Sequence, residues 1–164
     1  HNPELIILDE PTAGIDPLLR RKFWDYFKEL QAEGNTLFIT TQYVGEAAYC
    51  DLVGVMYEGR LLTIMTPDDL RKKAYGGDVI GIRTSEDIRF EHRRQLESLP
   101  FVRGKVKIIN DQEIEIIVDD AGTAISLLLE WSQAQKLTVA MMDQKTPSFD
   151  DVFIRLIETE ITSD

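Results

Sequence analysis

Residues 5–17 read LIILDEPTAGIDP, and this stretch decides the fold. Its first four residues are an apolar run without alternation, which is typical of a strand buried on both faces in a parallel sheet. Two acids, Asp9 and Glu10, follow the strand directly. Asp16 is then a candidate N-cap, with Pro17 at the first helical position. The stretch therefore predicts a strand that ends in paired acids and leads into a helix.

The sequence that follows completes a strand–helix–strand unit. Apolar residues at helical spacing give the helix one apolar face, and Gly34-Asn35 predicts its end. Thr36–Thr40 is a second strand of the buried type. Because such a crossover is almost always right-handed and joins parallel strands, residues 4–40 predict an α/β fold with a parallel sheet.

A hairpin and a short helix come next. Strands at Leu52–Tyr57 and Arg60–Met65 flank a Glu58-Gly59 turn, and a weakly marked helix at 44–50 precedes them. Thr66 followed by Pro67 predicts the start of a helix that runs to residue 75. The pair at residues 76–77, Gly-Gly, predicts a domain boundary, with one domain at residues 1–75 and a second at 78–164.

The second domain has the element order β-α-β-β-α-β, which predicts a small ferredoxin-like α+β domain. Its clearest strand is Glu113–Asp119, where Ile114, Ile116 and Val118 alternate with polar residues. A C-terminal helix follows, with Ser148 as its cap.

Composition excludes several classes of protein. The chain has 164 residues, a net charge of −11 and one cysteine, Cys50. An acidic chain argues against nucleic acid as a partner, because Lys and Arg supply most of that affinity. A lone cysteine excludes an intramolecular disulfide and favours a reducing compartment. No apolar run approaches the ~18 residues of a membrane span. The chain begins at His1, just before a strand, so we expect it to be part of a longer protein.

The candidate chemistry lies at the ends of the two parallel strands. Ligands of open parallel sheets bind beyond the carboxyl ends of the strands, where Asp9, Glu10 and the segment Thr40-Thr41-Gln42 are expected. Side chains alternate along a strand, so Asp9 and Glu10 should point in different directions. One carboxylate could hold a hard cation such as Mg²⁺, and the other could orient or deprotonate a water. Solvated acids at a strand end are the simpler alternative.

Longer strings of sequence narrow this choice. LIILDEPTAGIDP resembles the Walker B motif and D-loop of ATP-binding cassette (ABC) ATPases, which are P-loop NTPases. Residues 40–51, TTQYVGEAAYCD, resemble the switch region of the same family. The resemblance extends through residue 75, and the tail TPSFDDVF at 146–153 is similar to the accessory domain of drug- and polysaccharide-exporter members. The chain is thus identified as the carboxy-terminal part of an ABC transporter ATPase.

The resemblance implies roles for four residues. Asp9 would hold Mg²⁺ through water, and Glu10 would be the catalytic base for the water that attacks ATP. Asp16 would cross to a partner subunit as the D-loop residue, alongside its capping role. Gly14 would permit the turn before that helix, which any turn glycine could also do.

Gln42 departs from the family, which normally has histidine at this switch position. Glutamine forms hydrogen bonds but cannot become cationic. We therefore expect slow or altered hydrolysis, with the alternative that Gln42 is a working substitute.

The resemblance also implies partners and a location. The parent would bind ATP and Mg²⁺, pair with a second ATPase copy, and dock from the cytoplasm on a membrane-spanning permease, peripheral to the inner face of the cell membrane. The chain has no G-x-x-x-x-G-K-[ST] phosphate loop and no Ser-Gly-Gly-Gln signature. We therefore expect it to be inactive alone.

Other classes of function stay open. The ferredoxin-like domain could instead sense a small molecule or serve as a dimerising regulatory domain. A two-component receiver also opens with a strand and paired acids, but its later phosphoacceptor Asp and Lys are not in place. An ABC-type DNA-repair ATPase is disfavoured by the negative charge.

Overall fold

The computed structural model of the chain describes residues 3–163. These residues form two compact units, one ending at Asp51 and the other beginning at Leu52. No helix within the described range is long and apolar enough to cross a membrane.

The first unit is the predicted strand–helix–strand crossover. Strand β1 (Leu5–Asp9) pairs in parallel with β2 (Thr36–Thr40), and helix α1 (Pro17–Ala32) connects them. The inner face of α1 is aromatic: Trp24 and Phe27 are buried, and the Trp24 ring stacks on Tyr49 with centroids 5.2 Å apart. Tyr49 ends a short 3₁₀ helix, Val44–Tyr49, which replaces the predicted helix at 44–50.

One sequence prediction for this unit was wrong. The apolar runs of β1 and β2 predicted strands buried on both faces, yet Ile7 is 69% exposed and Phe38 is 60% exposed. These two residues are register partners on one face of the two-stranded sheet, and Leu5 lies on the same face. The physical reason is that no element among residues 3–163 covers this face of the sheet. Their other face is half-buried.

The second unit opens with the predicted hairpin. Strands β3 (Val53–Tyr57) and β4 (Arg60–Met65) are antiparallel. Glu58 and Gly59 both have positive φ, at 47° and 77°, as the type I′ turn of a two-residue hairpin requires.

Two helices of this unit pack against each other. Helix α2 (Pro67–Tyr75) is capped by Thr66, whose hydroxyl accepts a hydrogen bond from the Asp69 amide at 3.2 Å. The Arg71 guanidinium lies 4.1 Å from the ring centroid of Phe149, the first residue of helix α5 (Phe149–Ser163).

A four-stranded antiparallel sheet follows, with the ferredoxin-like topology predicted from sequence. Its strand order is β6-β7-β5-β8, with helix α3 after β5 and helix α4 after β7. The bounds of these elements are β5 Asp78–Thr84, α3 Phe90–Glu97, β6 Val102–Asn110, β7 Glu113–Val118, α4 Ala121–Ala134 and β8 Val139–Lys145. This is the split β-α-β motif with both helices on one face of the sheet.

The core of the second unit lies between that sheet and its helices. Ile80, Ile82, Ile114 and Ile116 are almost fully buried and belong to one cluster with residues of α3 and α4. The opposite sheet face is charged. It carries two ion pairs between register partners, Arg83–Glu113 and Lys107–Glu115, and one within β8, Lys145–Asp143.

The predicted domain boundary lies inside the second unit. Gly76 ends α2 in the left-handed conformation, and β5 begins at Asp78. Because β3, β4 and α2 belong to the same compact unit as the ferredoxin-like sheet, the division at residues 76–77 stays a prediction about domains.

Candidate functional site

The parallel pairing of β1 and β2 places their carboxyl ends at one sheet edge. Asp9 and Thr40 are register partners there, and the Thr40 hydroxyl donates a hydrogen bond to Asp9 Oδ1. Asp9 is exposed, and this bond uses one of its two oxygens. Such a carboxylate fits a contact with Mg²⁺, which retains waters and takes only one or two protein carboxylates beside phosphates. Within residues 3–163, no three His, Cys, Asp or Glu side chains are arranged to hold a metal ion.

Glu10 is held at the same edge by two hydrogen bonds. Its backbone amide donates to the Thr40 carbonyl at 3.0 Å. Its side-chain Oε2 accepts from the backbone amide of Gln42 at 3.2 Å. Its φ is 47°, in the left-handed region that non-glycine residues rarely occupy. The structure thus brings two predicted site residues, Glu10 and Gln42, into direct contact.

Asp16 acts as the N-cap of α1. Its Oδ1 accepts from the Leu18 amide at 2.9 Å and from the Leu19 amide at 3.0 Å. Both capping bonds use the same oxygen, and the side chain is exposed, so capping is compatible with a second contact through Oδ2. No hydrogen bond among the described residues joins Asp16 to Glu10 or Gln42.

Gly14 lies in the turn between Glu10 and Asp16. Its φ is +73°, and a Cβ there would meet no atom within 4 Å. The position therefore requires glycine for its backbone conformation rather than for space.

A buried polar cluster behind this edge was missed by the sequence analysis. Thr12 is fully buried and donates its hydroxyl to Glu46 Oε1 at 2.6 Å. Arg20 Nε lies 3.5 Å from the same oxygen, and its guanidinium lies 3.9 Å from the ring centroid of Tyr43. Glu46 appeared in the sequence only as part of the switch-like string, and no local pattern predicts a contact across 34 residues.

Burial raises the pKa of the Cys50 thiol, with the charges of Asp51 and Glu46 adding to the effect and Lys28 opposing it. A thiol with a raised pKa carries less thiolate and is less reactive. The partial burial of Cys50 fits a small packing residue.

The second unit contains a polar cleft of about 480 Å³ between α2, β5, the start of α4 and the end of β8. Its buried acid is Asp78, which accepts a hydrogen bond from the Ala121 amide at 2.9 Å and lies 3.4 Å from Lys72 Nζ. The buried charge is therefore paired within the protein.

Known proteins that are similar to the chain are named as ATP-binding proteins. A daunorubicin resistance ATP-binding protein of Streptomyces coeruleorubidus is 34% identical over 157 residues, which cover 94% of this chain and 48% of that protein. A probable multidrug ABC transporter ATP-binding protein of Escherichia coli (strain K12) is 45% identical over 74 residues, which cover 45% of this chain and 13% of that protein. The chain thus spans less than half the length of these curated relatives.

A solved structure of an ATP-binding subunit of an ABC transporter shares 32% identity with the chain, with a TM-score of 0.40 over 44% of this chain and 30% of that chain. No family model matches the sequence.

Proposed function

This chain is a homologue of ABC transporter ATP-binding proteins, and from that relation we propose that its full-length protein is the ATP-binding and ATP-hydrolysing subunit of an exporter. The names of its relatives, which refer to multidrug transport and daunorubicin resistance, support export. The observation that carries the proposal is the hydrogen bond from the Gln42 backbone amide to the Glu10 carboxylate, at the carboxyl ends of β1 and β2.

Glu10 is the proposed catalytic base. Its carboxylate lies beside the strand ends, where an open α/β sheet binds its ligand. The Gln42 amide bonds to Oε2, so Oε1 is the oxygen that accepts a proton from the attacking water or orients that water. The left-handed backbone of Glu10 and its bond to the Thr40 carbonyl fix the point from which the side chain projects, and the Gln42 backbone amide orients the carboxylate.

Asp9 is the proposed holder of Mg²⁺, in line with its exposed carboxylate beside the Thr40 hydroxyl. Bound Mg²⁺ would neutralise negative charge on the phosphates of ATP. The position of Gln42 would bring its side-chain amide toward the same phosphates as a neutral hydrogen-bond donor.

The proposed partners are a second ATPase copy and a membrane-spanning permease. Asp16 would reach the second copy through the oxygen that does not cap α1, and Gly14 would give the loop its turn. The full-length protein would lie in the cytoplasm, attached to the inner face of the membrane through the permease. The charge of −11 argues against nucleic acid as a partner.

A ligand-sensing role for the ferredoxin-like domain is the second candidate, favoured by the cleft of about 480 Å³ beside Asp78. The internal pairing of Asp78 makes it the weaker candidate, because the buried charge needs no ligand.

ATP turnover by the full-length protein tests the proposal. Replacing Glu10 by Gln keeps the shape and removes the base, so we expect turnover to fall by about 10²–10⁴-fold. Glu29→Gln is the matched control, since Glu29 is an exposed acid on α1, and it should hydrolyse ATP like the wild type. Equal turnover in both variants would contradict the assignment of Glu10, and an inactive wild type would contradict the ATPase.

A further inference from the structure

Glu46 is an acid that the proposed mechanism does not use, yet it is 2% exposed. It lies in the 3₁₀ helix Val44–Tyr49, four residues after Gln42. Burying a carboxylate costs several kcal/mol unless it is paired and hydrogen-bonded. A buried acid in a helix of six residues therefore calls for a specific explanation.

The partners of Glu46 come from two other segments of the first unit. Thr12, which lies two residues after Glu10, donates to Oε1 at 2.6 Å. Arg20, which lies four residues after Asp16, approaches the same oxygen at 3.5 Å. Glu46 therefore joins three segments, and each carries one residue of the proposed site: Glu10, Asp16 and Gln42.

Arg20 strengthens the link to the switch segment. Its guanidinium stacks on Tyr43, the residue after Gln42, at 3.9 Å from the ring centroid. The side chains of Thr12 and Glu46 are almost wholly removed from water, and that of Arg20 is 25% exposed. Low local dielectric makes such hydrogen bonds strong and makes their loss costly.

Two polar atoms of the cluster are not hydrogen-bonded. Glu46 Oε2 and Arg20 Nε are buried and have no hydrogen-bond partner among the described residues. The Thr12 hydroxyl is thus the one full-strength hydrogen bond to the Glu46 carboxylate in the described part of the chain. Removing that hydroxyl would leave the acid poorly paired and release the turn after Glu10 from the switch segment.

We propose that Glu46 is a positioning residue, which through Thr12 and Arg20 locks the turn after Glu10 and the start of α1 to the segment of Gln42. The buried Glu46 carboxylate thereby maintains the Glu10–Gln42 contact. The catalytic consequence rests on the proposed ATPase function, whereas the mechanical link between the segments does not.

Two Thr12 variants of the full-length protein separate positioning from packing. Thr12→Val keeps the shape and removes the hydroxyl, so we expect kcat to fall about tenfold with KM for ATP changed less than about threefold. Thr12→Ser keeps the hydroxyl and loses a methyl group, so it should remain within about twofold of the wild type. A purely packing role for Thr12 predicts the opposite order, with Thr12→Ser the more damaged.

A double-mutant cycle tests the partner. If Thr12 acts through Glu46, the double variant Thr12→Val/Glu46→Ala should turn over no more slowly than Glu46→Ala alone. Multiplying effects would show that the two residues act independently and would overturn the proposal.

Amide hydrogen exchange gives a readout that does not need hydrolysis. The Ala13 amide bonds to the Glu10 carbonyl and the Gln42 amide bonds to Glu10 Oε2. In Thr12→Val we expect both amides to exchange about tenfold faster, with no change in Thr12→Ser or in the control Glu29→Gln. Faster exchange at Ala13 alone, or at neither amide, would overturn the proposal. If the wild type did not hydrolyse ATP, the ATPase assignment would fail and exchange alone would decide the role of Glu46.

Discussion

Glu10 combines a left-handed backbone with a proline as the next residue. Pro11 disfavours helical conformations in the residue before it, and a non-glycine residue in a sparsely populated region costs about 1–3 kcal/mol. The structure compensates with the bonds to the Thr40 carbonyl and the Gln42 amide. Glu58 has the same φ in a hairpin turn, so the strain at Glu10 supports a chemical role only together with these two bonds at the carboxyl ends of β1 and β2.

Gln42 gives a prediction about rate. Gln42→His in the full-length protein introduces a side chain that can become cationic at the position proposed to face the phosphates of ATP. A well-placed hydrogen-bond donor to the transition state contributes a factor of about 10²–10³ in rate. We therefore expect ATP turnover to rise by up to that factor. An unchanged kcat would show that glutamine is a working substitute.

Glu86 gives a prediction about pH. Its carboxylate accepts hydrogen bonds from the Thr138 amide at 2.7 Å and the Thr138 hydroxyl at 2.8 Å, which lower its pKa from the ordinary 4.5. A carboxyl whose pKa is lowered by folding stabilises the protein above its ordinary pKa, and this contribution is lost as pH falls through the lowered value.

Glu86→Gln should therefore be less stable than the wild type at neutral pH, and the two proteins should converge as pH falls below 4.5. The measurement is the urea midpoint against pH, followed by Trp131 fluorescence in a Trp24→Phe background where it is the sole tryptophan. Glu130→Gln, an exposed acid on α4, serves as the control. Parallel curves for the Glu86 variant and the wild type would contradict the prediction.

Among the elements, those that rest on local patterns were predicted well. The alternation of Glu113–Asp119 identifies a half-buried strand, and the structure has β7 there. The parallel pairing of β1 with β2 and the ferredoxin-like strand order follow from the sequence of elements, because chain topology leaves few alternatives. Strand β6 continues through Gly104, whose φ of +65° lies at the register shift between Arg103 and Lys107, so this glycine marks a bulge rather than a break.

Features that depend on distant residues could not be predicted. The run Leu5–Leu8 indicates apolar side chains but not which strands will cover them, so the exposed face of β1 was missed. Likewise, Thr12 and Glu46 meet only because the crossover folds back. Their residue types suit a turn and a solvated helix as readily as a buried cluster.

The junction between α2 and β5 yields a prediction at the element scale. A Cβ on Gly77 would overlap with the carbonyl of Val118, a backbone atom of β7 that cannot move aside, whereas a Cβ on Gly76 would meet nothing within 4 Å. Gly76→Ala should lower the free energy of unfolding only through its left-handed backbone, by about 1–2 kcal/mol. Gly77→Ala adds overpacking, which costs about 1–3 kcal/mol more.

The urea midpoint of the second unit, followed by Trp131 fluorescence as above, should therefore fall further for Gly77→Ala than for Gly76→Ala. Equal midpoints would show that β7 shifts to admit the methyl group. A larger loss for Gly76→Ala would contradict the steric argument.

The first unit carries the proposed site at one sheet edge, and the second unit has a closed ferredoxin-like core. The core surrounds buried isoleucines and has paired charges on its open sheet face. The first unit instead leaves apolar side chains of β1 and β2 exposed. Since its relatives are more than twice as long as the matched region, ATP binding belongs to the full-length protein in our account.

The most direct test of the central claim is the identity of nucleotide extracted with acid from the full-length protein after incubation with Mg²⁺ and ATP. We predict mainly ADP from the wild type and mainly ATP from Glu10→Gln, because that variant retains the binding site and lacks the base. ADP from both proteins would contradict the role of Glu10, and no nucleotide from either would contradict an ATP-binding subunit.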